Sequence, residues 1–166
     1  DTVGPMAYAD LQTSFDAGMA YGNRWYSRWL LLNEVGDAFI DALLDGLDPF
    51  PGPLTAVYLG ALGGAAGRVA RDATAYPHRD AADALHIFPG WMDPAGDEAV
   101  MAWARELSER LGEFAAEGVY VNMLAEDERD RLEAAYGENY ERLVRLKARW
   151  DPDNFFHANH NIRPQG

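Results

Sequence analysis

Two residue types are nearly missing from this sequence. Its 166 residues include no cysteine and a single lysine, Lys147, so arginine carries almost all of the positive charge. Without cysteine the chain can form neither a disulfide bond nor a thiolate nucleophile. No apolar run reaches the roughly 18 residues that a membrane-spanning helix needs. The sequence does not begin with methionine and shows no signal-like start, so we expect that its true N-terminus is missing and that the protein is cytoplasmic.

The charge balance and the hydrophobic content narrow the possible classes further. The formal net charge is −13, and so acidic a chain repels phosphate backbones and anionic lipid surfaces; we therefore expect neither nucleic-acid nor membrane binding. Hydrophobic residues make up 48% of the chain, which disordered chains do not reach. The length is sufficient for one domain with its own core, and the oligomeric state stays open.

Hydrophobic patterns predict short strands separated by helices. Strands are expected in the aromatic run of 19–32 and at 55–62, 65–69, 83–88 and 119–123. Helices are expected from Glu34 behind Asn33 as the cap, over 97–116, and in a last stretch that breaks at Gly137 and stops at Asp151-Pro152. Because helices come between pairs of strands, the pattern predicts an α+β fold with an antiparallel sheet and helices on one face.

Four ordered motifs occupy the last fifty residues. They are a Tyr-x-Asn segment at 120–122, a Tyr-Gly-x-Asn-Tyr-x-Arg-Leu helix at 136–143, a Lys-x-x-Trp-Asp-Pro-x-Asn-x-Phe turn at 147–156, and an Asn- and Pro-containing tail at 159–164. In this order and spacing they resemble the C-terminal segment of the berberine-bridge-enzyme-like FAD-linked oxidases, which are flavoproteins of the vanillyl-alcohol-oxidase type.

The resemblance implies a domain organisation and a cofactor. In this family a substrate domain, an antiparallel sheet backed by helices, is inserted into a FAD domain that is split in sequence. Residues 1–116 would be the later part of the substrate domain, and residues 117–166 would complete the FAD domain. Relatives bind FAD chiefly through an N-terminal domain, often with covalent links. The missing N-terminal FAD-binding domain is therefore an expected partner, and we expect this chain alone neither to hold FAD nor to turn over.

Tyr120 and Asn122 are the first candidate site residues. On a strand, residues two apart face the same side, so a phenol and an amide would point together toward a flavin rim or a substrate hydroxyl. The alternative is an edge strand with a half-buried Tyr and a capping Asn. The resemblance implies that this strand runs beside the flavin, with Tyr120 as a cofactor contact and catalytic group. Many relatives have a tyrosine base where this sequence has Met123, a substrate-facing position here that cannot take a proton.

His86 is the second candidate. Strand alternation places it on one face with Ala84 and Phe88. Histidine titrates near neutrality and can serve as the base in an alcohol oxidation. The resemblance implies a substrate-facing residue at His86 or at Ile87, depending on the end from which the motif is counted. The alternative is a partly exposed strand histidine with no role in chemistry.

Several further side chains have a functional and a structural interpretation. Tyr26 and Arg28 could line a substrate pocket, or take part in cross-strand packing. His78 and Arg79 could contact a ligand, or fix their loop by an ion pair. The acidic run at 126–133 is interpreted as a solvated face.

The C-terminal tail offers amides and two histidines. The resemblance implies that Asn159 and Asn161 help to hold the flavin end of the fold; the alternative is a tail held by amide hydrogen bonds. His157 and His160 have the spacing of a metal pair, but too few further ligands surround them in the sequence, so we expect no metal site.

The resemblance and the candidate residues together predict a FAD-dependent oxidoreductase that oxidises an alcohol or an activated C–H of a small molecule. The alternative is a binding or assembly domain that keeps the fold without FAD and without catalysis, which Met123 would suit. The sequence does not identify the substrate or the electron acceptor.

Overall fold

Two small antiparallel sheets and six helices make up the part of the chain that the structure, a computed structural model, describes: residues 4–14, 16 and 18–165. The helices are α1 (Tyr8–Thr13), α2 (Asp37–Gly46), α3 (Gly64–Gly67), α4 (Asp97–Arg110), α5 (Leu132–Tyr136) and α6 (Tyr140–Trp150). The strands are β1 (Arg24–Trp25), β2 (Arg28–Leu32), β3 (Ala56–Ala61), β4 (Asp83–Phe88) and β5 (Gly90–Trp91). None of the helices in these residues is long and apolar enough to cross a membrane.

The larger sheet has the order β2-β4-β3, and both of its strand pairs are antiparallel. In register, His86 of β4 lies between Trp29 of β2 and Tyr58 of β3. The short strands β1 and β5 pair separately. The predicted α+β class with an antiparallel sheet is confirmed, and the predicted strand at 83–88 coincides with β4.

Helices cover one face of this sheet. Leu32, Leu85 and Ile87 point toward α2 and α4 and are fully buried. They pack with Phe39, Ala104, Leu107 and Leu111, which recur on one side of the helices. Burying a side chain of this size contributes about 1.5–3 kcal/mol. The predicted arrangement of helices on one sheet face is therefore confirmed.

Local predictions fail where glycine and alanine dominate. The predicted strand at 65–69 is wrong: the short helix α3 begins at Gly64, directly after Gly63, and both glycines have positive φ. Alanine is the strongest helix former and has little strand preference, so this result follows from residue type. The helix expected from Glu34 begins at Asp37, behind Gly36. The predicted buried strand at 55–62 forms β3, but at the sheet edge with Leu59 exposed.

The predicted strand at 119–123 is wrong. Residues Val121–Met123 form a 3-10 turn, in which the Met123 N–H donates to the Tyr120 carbonyl at 2.9 Å. A strand needs a neighbour with which to share backbone hydrogen bonds, and within the described ranges no strand pairs with this segment. Val119 is nevertheless fully buried, so the turn is anchored in the core.

The end of the last helix matches its prediction. The helical stretch breaks at Gly137, whose φ is 45°, and α6 ends at Trp150 before Asp151. Asp151 forms an ion pair with Lys147, the single lysine, and accepts backbone N–H bonds from Phe155 at 2.7 Å and Phe156 at 3.0 Å. This carboxylate therefore shapes the turn that begins the C-terminal tail.

A second carboxylate joins the sheet to the C-terminal part of the chain. Asp127 accepts hydrogen bonds from Arg28 at 2.8 and 3.0 Å and from the Tyr26 hydroxyl at 2.7 Å. Arg105 of α4 donates further bonds to it at 2.9 and 3.0 Å. Arg28 also lies 3.1 Å from Glu128, and both of these residues are buried. The acidic run is therefore not simply a solvated face, since two of its carboxylates neutralise a buried arginine.

These contacts change two pKa values. Hydrogen bonding from Arg28, with further bonds from Tyr26 and Arg105, holds the pKa of the Asp127 carboxyl well below its usual range. Burial, together with the hydrogen bond to Asp127, raises the pKa of Tyr26 to about 12. Asp127 is consequently charged and Tyr26 neutral across the physiological range.

Replacing Gly118 by alanine tests the packing around the 119–123 segment. The added Cβ would lie 2.0 Å from Cε1 of His78, at a φ of 94°. We expect the free energy of unfolding to fall by at least about 2 kcal/mol, because overpacking and a left-handed backbone both cost energy. Gly112→Ala is the matched control, since nothing lies within 4 Å of its Cβ. Equal urea midpoints for the two variants would contradict this arrangement.

Asp127→Asn tests the carboxylate that joins the two parts. It is expected to lower the free energy of unfolding by about 1–2 kcal/mol, less than the about 3–5 kcal/mol of a fully buried pair, because solvent screens a partly exposed carboxylate. The Asp127 side chain is 36% exposed. Asp130→Asn, an exposed carboxylate of the same segment, is the control and should be close to neutral.

The pH dependence of this effect has a defined sign. A lowered folded-state pKa stabilises the protein fully above the unfolded value of about 3.9 and progressively less as the pH falls below it. The stability gap between the unsubstituted protein and Asp127→Asn should therefore narrow between about pH 5 and about pH 3. Urea unfolding at both pH values measures the gap, and a gap that widens in acid would refute the ion network.

Candidate active site

An aromatic cluster lies on the sheet face opposite α2 and α4. At its centre is His86, whose ring centroid is 5.3 Å from that of Trp29, 4.9 Å from Phe88 and 6.1 Å from Tyr58. Strand alternation produces this grouping, because the neighbours of His86 along β4 point into the helix-covered core. The predicted face shared by Ala84, His86 and Phe88 is thus present.

Tyr120 and Asn122 join this cluster from the C-terminal segment. The Tyr120 ring lies 6.1 Å from Trp29 and 5.7 Å from Tyr76. The Asn122 amide donates a hydrogen bond of 2.8 Å to the Tyr120 hydroxyl. The two polar tips therefore meet as predicted, although a 3-10 turn rather than strand alternation brings them together. Met123 lies in the same turn, with a thioether that cannot accept a proton from a substrate.

His86 is half-buried and has one polar contact. Its Nε2 lies 2.9 Å from the hydroxyl of Ser27. Burial lowers the pKa of His86, so the neutral imidazole predominates at neutral pH and can accept a proton. Ser27 was not found from the sequence, because it precedes β2 and lies 59 residues from His86 in the chain. Only the register of β2 against β4 brings the two side chains together.

Tyr26 and Arg28 do not join this cluster. Tyr26 belongs to the helix-side core, and the guanidinium of Arg28 is held by Asp127 and Glu128. Their polar groups already have protein partners, and Arg28 is 8% exposed. These contacts form an ion network rather than the cross-strand packing that was the alternative, and Tyr26 also lines a cleft of about 670 Å³. Asp127 and Arg105 complete this group, and no sequence motif pointed to either of them.

His78 and Arg79 hold their loop, but not by an ion pair between them and a carboxylate. His78 Nε2 lies 3.1 Å from the Ala135 carbonyl. The Arg79 guanidinium stacks over Tyr76 at 4.9 Å and donates to the Thr74 hydroxyl at 2.6 Å. These contacts attach the loop to α5 and to itself, which makes the motif architectural.

Asn159 and Asn161 line a separate polar cleft of about 490 Å³, together with Arg129, Leu132, Asn154, His157, His160 and Arg163. The side-chain oxygen of Asn161 is buried and has no hydrogen-bond partner within the part of the chain that the structure describes. Leu132 also packs beneath Val119, so this cleft adjoins the segment that carries Tyr120. Across residues 4–14, 16 and 18–165, no group of three or more His, Cys, Asp or Glu side chains could hold a metal ion.

Comparison with known proteins identifies relatives of this architecture. The sequence model of the family described as "Berberine and berberine like" matches residues 119–163, which include Tyr120, Asn122, Asn159 and Asn161. An uncharacterized FAD-linked oxidoreductase of Bacillus subtilis, YgaK, is 38% identical over 130 residues, 78% of this chain and 29% of the relative. Aclacinomycin-N/aclacinomycin-A oxidase of Streptomyces galilaeus is 34% identical over 130 residues, 66% of this chain and 24% of the relative.

Solved structures agree with these matches. The crystal structure of a glycopeptide hexose oxidase complexed with teicoplanin superposes with a TM-score of 0.76 and 27% identity, over 86% of this chain and 33% of that one. The chain spans about a quarter to a third of the length of the curated relatives it matches. The motifs, the fold and these relatives place the chain in the berberine-bridge-enzyme-like family of FAD-linked oxidoreductases.

Proposed function

We propose that this chain supplies substrate-facing and flavin-facing groups to a FAD-dependent oxidoreductase that oxidises an alcohol or an activated C–H of a small molecule. The observation that carries the proposal is that His86 and Tyr120, the latter with Asn122 bonded to its hydroxyl, both lie beside Trp29 on the sheet face opposite α2 and α4. Two of these residues lie in the segment matched by the family.

The chemistry of this face fits a flavin. Aromatic side chains such as Trp29 and Tyr120 suit a flat heteroaromatic ring system. Because the Tyr120 hydroxyl accepts its bond from Asn122, its own proton remains free to be donated to a ring carbonyl or a substrate oxygen. The indole N–H of Trp29 is buried with no acceptor in the described part of the chain, so this cluster retains unused donor capacity.

Four residues are proposed to hold the cofactor. Tyr120 and Asn122 would contact the edge of its ring system, and Asn159 and Asn161 would contribute from the adjoining polar cleft. When bound, FAD supplies the hydride acceptor. The phosphates would be held by an N-terminal FAD-binding domain outside this sequence, so we propose that the chain alone neither retains FAD nor turns over.

Residues of this chain can accept the proton that the substrate loses during oxidation. His86, neutral at physiological pH, can accept a proton from a hydroxyl placed against the aromatic cluster. Tyr120, whose phenol oxygen is oriented by Asn122, is the second candidate and could take this role only as the phenolate. Met123 cannot contribute, which leaves these two residues to share the role. The rings of Trp29, Tyr58 and Phe88 pack around the imidazole.

The names of two relatives, aclacinomycin oxidase and glycopeptide hexose oxidase, support oxidation of a small molecule without identifying the substrate. Met123 favours a second candidate function, a binding domain that has the fold without turnover. The two candidates make different predictions about the spectrum of the purified full-length protein.

The full-length protein is expected to be yellow and to lose its flavin absorbance when an oxidisable alcohol is added without oxygen. Tyr120→Phe should lower the rate of this bleaching by about 100-fold if the phenol takes part in proton transfer. Tyr21→Phe is the control, because Tyr21 is fully exposed and has no shared contact with the cluster. A protein purified without flavin, and unable to take it up, would refute the oxidoreductase proposal and favour the binding domain.

His86→Gln is expected to reduce kcat/KM by about 100-fold or more at neutral pH, since a glutamine cannot accept the proton. Because burial lowers the pKa of His86, the unsubstituted protein should keep its activity down to below about pH 6.5 and lose it only as the imidazole becomes protonated. The variant should lack this acidic limb. A pH–rate profile with the same limb in both proteins would exclude His86 as the base.

A further inference from the structure

Ser27 occupies the short gap between β1 and β2. The strands on either side of it pair with different partners, β1 with β5 and β2 with β4. The residue before it, Tyr26, packs in the helix-side core, and its backbone N–H donates a hydrogen bond of 3.1 Å to the Pro89 carbonyl. Ser27 therefore faces the opposite side, where its hydroxyl reaches Nε2 of His86 at 2.9 Å.

The two nitrogens of His86 have different surroundings. Nε2 contacts Ser27 and is part-buried. Nδ1 has no hydrogen-bond partner among the residues described. Trp29 from β2 and Tyr58 from β3 are the aromatic neighbours across the sheet, and Tyr58 is the titratable one. Burial lowers the pKa of His86.

We propose that Ser27 is a positioning residue that holds His86 in the tautomer with its proton on Nε2. The Ser27 oxygen accepts that N–H, which leaves the lone pair of Nδ1 free to accept a proton. This inference rests on the proposed function, because it gives the accepting nitrogen of the base an identity and a direction.

One proton is transferred to His86 in this arrangement. A substrate hydroxyl would transfer its proton to Nδ1, and bound FAD would supply the acceptor for the hydride from the carbon that bears this hydroxyl, so that the carbonyl product retains the oxygen. The imidazolium then carries protons on both nitrogens, and the Nε2–H bond to Ser27 persists through the transfer. A neutral hydroxyl suits this position better than a carboxylate, because a carboxylate partner would favour the charged imidazolium before substrate arrives.

Ser27→Ala should therefore reduce the rate of anaerobic flavin reduction by roughly tenfold or more at saturating substrate, with KM little changed. It should also move the acidic limb of the pH–rate profile to lower pH, because the imidazolium loses an acceptor. Ser27→Thr keeps the hydroxyl and should restore most of the rate and the position of the limb. Thermal unfolding of each variant shows that the comparison is made between folded proteins.

The decisive comparison adds Ser27→Ala to His86→Gln. If Ser27 acts through His86, the double variant should be no slower than His86→Gln alone. An equal further loss in both backgrounds, or full activity of Ser27→Ala, would overturn the inference. An active protein in which His86→Gln costs nothing overturns it too while leaving the flavin function standing, whereas a protein that never reduces flavin removes the proposed function itself.

Discussion

The structure depends on one constraint, which is that the two faces of β4 have different surroundings. Leu85 and Ile87 must point into the core beneath α2 and α4, because they are fully buried there. Because successive side chains of a strand point to opposite faces of the sheet, His86 must lie on the other face. Register across the sheet then places Trp29 and Tyr58 beside it. Hydrophobic packing on one side thereby decides where the candidate chemistry lies on the other side.

The same division explains why the C-terminal segment contributes to both faces. Asp127 attaches it to Arg28, Tyr26 and Arg105 on the helix side, while Tyr120 packs against Trp29 on the aromatic side. Val119, next to Tyr120 in the chain, is fully buried. A segment held at both faces can present Tyr120 and Asn122 in a fixed position, which is what a site needs if its groups are to meet a ligand without a large reorganisation.

Prediction from the sequence succeeded where a pattern has one physical meaning. The alternation of 83–88, the apolar stripe of α4, the break at Gly137 and the stop at Asp151-Pro152 are all found in the structure. It failed where short runs are ambiguous, as at α3, and where a strand was assigned without a partner, as at 119–123. The acidic run at 126–133 looked solvated because a local pattern cannot show that Arg28, about one hundred residues away, lies against it.

The motifs in the last fifty residues are local, and so the sequence by itself determined the family, the expected cofactor and the residues Tyr120, Asn122 and His86 as candidates. Tertiary structure decided which of the candidates meet. It brought His86, Tyr120 and Asn122 to one aromatic face. It joined Tyr26 and Arg28 to Asp127 in an ion network, and it placed Ser27 against His86. The physical reason is that strand register and helix packing join residues far apart in the chain, and no spacing within one segment encodes those contacts.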